Sequence, residues 1–140
     1  MTKEECEILH SEFEHTLNGT LGIRILESEG DTVLGTMPIS GCTRQYYGIL
    51  HGGASLAFAE TLAGCGSRML TGFDNTKKVC GVNVTGNHVG MSPKEGMVYG
   101  KATVIHAGRT THVWNVDITD AEGKLISTER VTNMIIIHNA

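Results

Sequence analysis

No stretch of this 140-residue chain contains the roughly 18 consecutive apolar residues that a membrane-crossing helix requires. Its amino end, Met-Thr-Lys-Glu-Glu-Cys-Glu, is acidic and lacks the apolar core of a secretory signal, so a cytoplasmic location is expected. Basic charge is short as well: 11 Lys and Arg stand against 15 Asp and Glu, for a formal charge of −4 and a pI near 5.9. Nucleic-acid surfaces normally show a basic stripe, and this balance argues against one. The four cysteines, Cys6, Cys42, Cys65 and Cys80, are scattered, with no Cys-x-x-Cys or His-x-x-x-His pairing. That spacing argues against a zinc site. A disulfide framework is not expected in a chain of this size without a secretory signal, so free thiols and no bound metal are expected. Repeats, low-complexity tracts and linkers are absent too. Residues 1–140 therefore read as one domain, large enough to bury a core that a dimer interface would extend.

Charge is scarcest between Arg44 and Arg68, where Glu60 is the only formal charge. The chain is organised around this run. Its residues are small or apolar (Ala54, Leu56, Ala57, Phe58, Ala59, Leu62, Ala63), too many in a row for a buried strand and poor in β-branched types. A helix is predicted from about Gly52 to Met69, without a polar face and hence buried or clamped between elements. Charged groups are almost never fully buried unless paired, which singles out Glu60. At the helix start, His51-Gly52-Gly53 leaves backbone N–H groups at the positive end of the dipole, suited to an anion or a developing oxyanion. Gln45 lies just upstream in a turn. A donor nest, an imidazole, an amide and an isolated carboxylate are the parts of an acyl-transfer site.

Distance decides how they combine. Gly52 and Glu60 are eight residues apart, about 12 Å along a helix axis. One reacting group needs partners within about 3 Å. If both act on one carbon, the second must come from another copy of the chain, and the site is built at a homodimer interface.

Around this helix the pattern predicts an α+β arrangement with five or six antiparallel strands. Residues 2–17 read as a helical lead-in, with Thr2 and Glu5 at capping-box spacing. Residues 20–27 alternate as a strand with Leu21, Ile23 and Ile25 on one face, and 32–39 supply its hairpin partner. A loop, 40–48, leads to the helix and a turn-rich connector, 71–77, follows it. Further strands are predicted at 79–88, 96–107, 111–120 and 124–137.

Gln45-x-x-Gly-x-x-His51-Gly-Gly-Ala-Ser-x-x-x-Ala-Glu60, together with Gly86-Asn87-His88, His106-Ala-Gly-Arg109-Thr-Thr-His-Val-Trp114 and the ending Asp120-Ala-Glu-Gly-Lys-Leu-Ile-Ser-Thr-Glu-Arg130, resembles the hotdog-fold acyl-CoA thioesterases. The closest group is that of the 4-hydroxybenzoyl-CoA, phenylacetate-pathway and enterobactin-proofreading enzymes. The likeness covers residues 18 to 137. It implies an antiparallel sheet wrapped around a long central helix, and hydrolysis of an acyl-CoA or acyl-carrier thioester without a cofactor. It also implies a homo-oligomer, a dimer at least and in many relatives a dimer of dimers. Carried over, Glu60 is the nucleophile or general base, Gly52 donates its N–H to the thioester oxygen, and Gln45 and His51 position the thioester. Asn87, His88, His106, Gly108, Arg109 and Arg130 are candidates for coenzyme A, with Lys94 and Lys101 as further cations. Tyr46, Tyr47 and Trp114 are aromatic candidates for an acyl or adenine pocket or for core packing. Many relatives carry Ser or Thr four residues after the glutamate to hold water. Here that place is Gly64, and Thr61 or Ser67 is the candidate stand-in.

Overall fold

The computed structural model describes residues 1–138. The Thr2 hydroxyl accepts the Glu5 N–H, and the Glu5 carboxylate accepts the Thr2 N–H at 2.8 Å, a capping box that opens helix α1 (Lys3–Phe13). α1 buries Cys6, Leu9 and Phe13. The next segment departs from the expected strand over 20–27. Leu17–Thr20 forms a short helix, α2, closed by the Leu21 N–H on the Leu17 carbonyl, and strand β1 spans only Arg24–Leu26. Glycine explains the difference. Gly22 takes φ +72°, and a Cβ on Gly19 would stand 3.3 Å from the Phe13 carbonyl carbon, so the chain turns tightly against α1 before extending. Leu21, Ile23 and Ile25 are all buried, but from a helix end, a turn and a strand.

Strand β2 (Thr32–Pro38) pairs antiparallel with β1 as the predicted hairpin. Helix α3 (Gly52–Leu70) follows, then β3 (Lys77–His88), β4 (Met97–Ala107), β5 (Thr111–Thr119) and β6 (Leu125–Ile137). The six strands form one antiparallel sheet in the order β1-β2-β4-β5-β6-β3. This is the expected α+β architecture, with α3 laid across the inner face. No helix among the described residues is long and apolar enough to cross a membrane.

Phe58, Leu62, Trp114, Val116 and Val131 are fully buried between α3 and the sheet. Close approach is permitted by glycines. Gly35 of β2 and Gly100 of β4 are register partners; a Cβ on Gly35 would stand 2.6 Å from Leu62 Cδ2, and one on Gly100 2.9 Å from Phe58 Cζ. On the helix side, a Cβ on Gly66 would stand 2.7 Å from Trp114 Cζ2. Arg68 near the helix end forms a two-pronged ion pair with Glu12 of α1. Cys6 and Cys65 are buried and Cys42 and Cys80 exposed, all four as free thiols.

Glycine inside a strand is normally a weakness, and valine there would strengthen it. At Gly100 the sign should reverse. Gly100→Val should lower the free energy of unfolding by about 1–3 kcal/mol, the range for overpacking, in urea titration at 25 °C. An unchanged or raised value would show that α3 does not rest on this strand.

Candidate active site

The loop before α3 is pinned at several points. The Thr43 hydroxyl donates to the Pro38 carbonyl at 2.7 Å, and the Thr43 carbonyl accepts the His51 N–H at 2.8 Å. The Leu50 N–H donates to the Ser92 hydroxyl at 2.7 Å. Gln45 is held by its N–H on the Ile49 carbonyl and by its side-chain oxygen, which accepts the Tyr47 N–H. His51 caps the helix: its Nδ1 accepts the Gly53 N–H at 2.7 Å. The Gly52 N–H has no acceptor among the described residues, which leaves a donor free at the positive end of a 19-residue helix.

His88, the last residue of β3, lies against Gly52. A Cβ on Gly52 would stand 2.6 Å from His88 Nε2, so only glycine leaves room for the ring. Gln45, Gly52, Ser55, His88, Met91 and Ile126 line a cavity of about 330 Å³ here. The structure thus brings four sequence candidates together in one chain, Gln45, His51, Gly52 and His88.

Glu60 stands two turns further along α3. It is exposed, and its carboxylate lies against Gly81 of β3, where a side chain would collide with it. The remaining candidates are dispersed. Asn87 and Arg130 alternate with inward residues of β3 and β6, which puts them on the face of the sheet away from α3. His106 near the end of β4 and Gly108 and Arg109 in the β4–β5 turn lie at the opposite end of the sheet. There Thr71, Lys77, Gly108, Arg109 and His112 line a cavity of about 350 Å³. Lys94 packs its stem beside Gly48, and Lys101 is exposed on β4. The Tyr46 and Tyr47 rings are 4.1 Å apart and exposed; Trp114 is core.

Of the two hydroxyls suggested to hold water, Thr61 is half-buried and within 2.8 Å of Asn18 Oδ1 and the Ala57 carbonyl. Ser67 is committed elsewhere. Its Oγ accepts from Trp114 Nε1 at 2.9 Å and Asn133 Nδ2 at 3.0 Å. With both lone pairs used, its proton goes to His112 Nδ1 at 3.0 Å, which fixes that nitrogen as the acceptor. Ser67 is fully buried and tied into the core, so it is corrected from water holder to structural residue. A Cβ on Gly64 would meet open space.

Glu129 was missed from the sequence. It is 2 % exposed on the helix-facing side of β6; its Oε1 accepts the Ser127 hydroxyl and its Oε2 has no partner. Burial pushes this carboxyl up to about 7, Asp117 adds to the rise, and the Ser127 donor opposes it. The alternation of β6 from Ser127 onward was the available signal, since it places residues 127, 129, 131, 133 and 135 on one face.

The sequence pattern of the thioesterase superfamily matches residues 47–127. The chain is 40% identical to the ComA2 protein of Bacillus subtilis over 126 residues, 89% of this chain and 98% of that one. It is 35% identical to the 1,4-dihydroxy-2-naphthoyl-CoA hydrolase of Escherichia coli over 134 residues, 96% of each. The crystal structure of a thioesterase from Haemophilus influenzae superposes with a TM-score of 0.88 at 33% identity, covering 94% of this chain and 90% of that one. The fold is the hotdog fold of those neighbours.

The Ser67 network sets a pH dependence. Burial holds the His112 imidazole below its ordinary 6.5, as it does His10, whose Nε2 accepts the Ile25 N–H. A depressed folded value means that the unfolded chain takes up protons first, so this stability is present above pH 6.5 and is lost as the pH falls below it. Between pH 7 and pH 5 the urea midpoint of wild type should fall relative to that of His112→Asn. Ser67→Ala, which strands buried donors, should cost about 2–3 kcal/mol at pH 7. A cost near zero would mean that the network contributes nothing.

Proposed function

The chain belongs to the thioesterase superfamily, and from that premise we propose that it hydrolyses an acyl-CoA thioester at a site shared between two copies of itself. The observation that carries this reading is the correspondence between α3 and β3. His88 lies at Gly52, Gly86 at Leu56 and Gly81 at Glu60, so strand and helix run in opposite directions in step. β3 is also an edge strand of 12 residues, exposed along most of its length, with Val82 at 55 %. Such an edge is a template for pairing with another strand. A two-fold axis near Leu56 and Gly86 would join two β3 edges and set the Gly52–His88 end of one protomer beside the Glu60–Gly81 end of its partner.

In that arrangement the thioester carbonyl oxygen accepts the free Gly52 N–H, and the helix dipole favours the negative charge that develops on it. Glu60 of the other protomer acts in one of two ways. It removes a proton from water as the water oxygen attacks the carbonyl carbon, or it attacks directly and water cleaves the resulting anhydride. Either way the C–S bond breaks, the thiolate takes up a proton, and a free acid and coenzyme A leave. No metal or redox cofactor enters these steps. His51 holds the helix start and Gln45 lies at the cavity mouth. The Escherichia coli relative, whose name specifies 1,4-dihydroxy-2-naphthoyl-CoA, supports an aromatic acyl group as the first substrate to try. Arg109 and Lys77, flanking one cavity, are proposed to meet the phosphates of coenzyme A. A non-catalytic acyl-CoA binder is the second reading, favoured by Gly64, which supplies no hydroxyl beside Glu60. Thiol release over a panel of acyl-CoAs separates the two.

Glu60→Gln should keep the fold and lower turnover by roughly 10²–10⁴. Wild-type kcat in that variant would remove Glu60 from the mechanism. Arg109→Ala should raise KM with kcat nearly unchanged, and less so on a substrate truncated of its nucleotide. Mixing Glu60→Gln with an impaired His51→Ala protein, with exchange confirmed by native mass spectrometry, should restore about a quarter of wild-type sites. Mixed dimers without recovered activity would rule out a shared site.

A further inference from the structure

Glu129 is a large buried polar side chain with no task in the reaction as proposed above. Its register partners are Gly86 on β3 and Val116 on β5, and it faces α3. A Cβ on Gly86 would stand 2.8 Å from Glu129 Cγ and 2.9 Å from Leu56 Cδ2, so the bare backbone of β3 and the start of α3 close over the carboxyl. Ser127, the hydroxyl that donates to Glu129, is the register partner of His88. His88 in turn covers Gly52. Glu129 and its donor therefore stand directly behind the two residues of β3, Gly86 and His88, that frame the start of α3.

We propose that Glu129 is a positioning residue: as a neutral acid it holds the Gly86–His88 stretch of β3 closed over the first turns of α3, and its ionisation opens that stretch and disassembles the Gly52 end of the site. The physical reason is desolvation. A carboxylate with one donor and an unpartnered oxygen cannot stay in an apolar enclosure. To reach water it must displace a neighbour, and the nearest is the Gly86–His88 end of β3, held within the chain by β6 alone and, in the dimer proposed above, by the partner's β3 edge as well. The surrounding groups do not offset the charge. β5 presents Val116 to the inner face, and Asp117, on the outer face, opposes ionisation. α3 presents Leu56, with Glu60 one turn beyond; β6 presents Ser127 and Val131; His88 is the nearest ionisable group on β3. Because the folded value lies above the ordinary 4.5, stability is lost as pH rises through the interval up to about 7.

The test reads two quantities. One is kcat/KM against pH, which rests on the thioester-hydrolase reading, and the other is thermal unfolding, which does not. Wild-type kcat/KM should break near pH 7 and fall about tenfold per pH unit above it, as for one ionisation to an inactive form. Glu129→Gln, a neutral isostere, should extend the plateau to alkaline pH and stay within a few-fold of wild type at pH 6. Ser127→Ala removes the donor that favours the charged form and should shift the break upward, which decides the matter if Glu129→Gln fails to fold. Between pH 6 and pH 8 the wild-type Tm should fall and that of Glu129→Gln should not. The same alkaline break in both proteins, or a Glu129→Gln protein that melts normally at pH 6 yet is inactive there, would overturn the proposal. If wild type cleaves no acyl-CoA at any pH, the hydrolase reading fails and the melting comparison decides alone. Equal falls in Tm would then refute the role of Glu129.

Discussion

A helix can lie this close to a sheet only where the sheet offers it bare backbone. Here the paired glycines at 35 and 100 provide that place, with Gly66 answering from the helix side under Trp114. The contact fixes both the height of α3 over the strands and its position along them. That position sets everything chemical. If α3 slid by one residue, about 1.5 Å, Gly52 would leave its place beneath His88 and Glu60 its place against Gly81. The two ends of the proposed site are thus not separately built. They are two points on one rod, held by packing in the rod's middle.

Much of this was legible beforehand because the signals were local. The Thr2–Glu5 cap, the β1–β2 hairpin and a sheet of five or six strands all follow from spacing along the chain. The uncharged run that marked α3 follows from composition, and the gathering of Gln45, His51 and Gly52 from their closeness in sequence. What was not legible depended on distant neighbours. Residues 20–27 alternate like a strand, yet Gly19 and Gly22 turn the chain against α1 and leave only Arg24–Leu26 extended. Ser67 looked free until Trp114, Asn133 and His112, all more than 40 residues away, claimed its lone pairs and its proton. Glu129 sat in a charged, ordinary-looking Thr-Glu-Arg; only the alternation of β6 turns it inward, and only the sheet order buries it.

The two buried titratable groups on the inner face pull in opposite directions. His112 weakens the fold as the pH falls below 6.5, and Glu129 weakens it as the pH rises from 4.5 to about 7. They sit at opposite ends of the sheet, His112 beside the C-terminal half of α3 and Glu129 beside its start.

The strand order also carries a temporal consequence. β3 is early in the chain but joins the sheet only through β6, the last strand to be made. Until the ribosome has released β6, nothing holds Gly81 against Glu60 or His88 over Gly52. Pairings this distant in sequence form late, after the local hairpins. A chain lacking β6 would possess every residue of the motif from Gln45 to Glu60 and still lack the strand that seats β3, so the proposed site depends on a pairing made far from the motif.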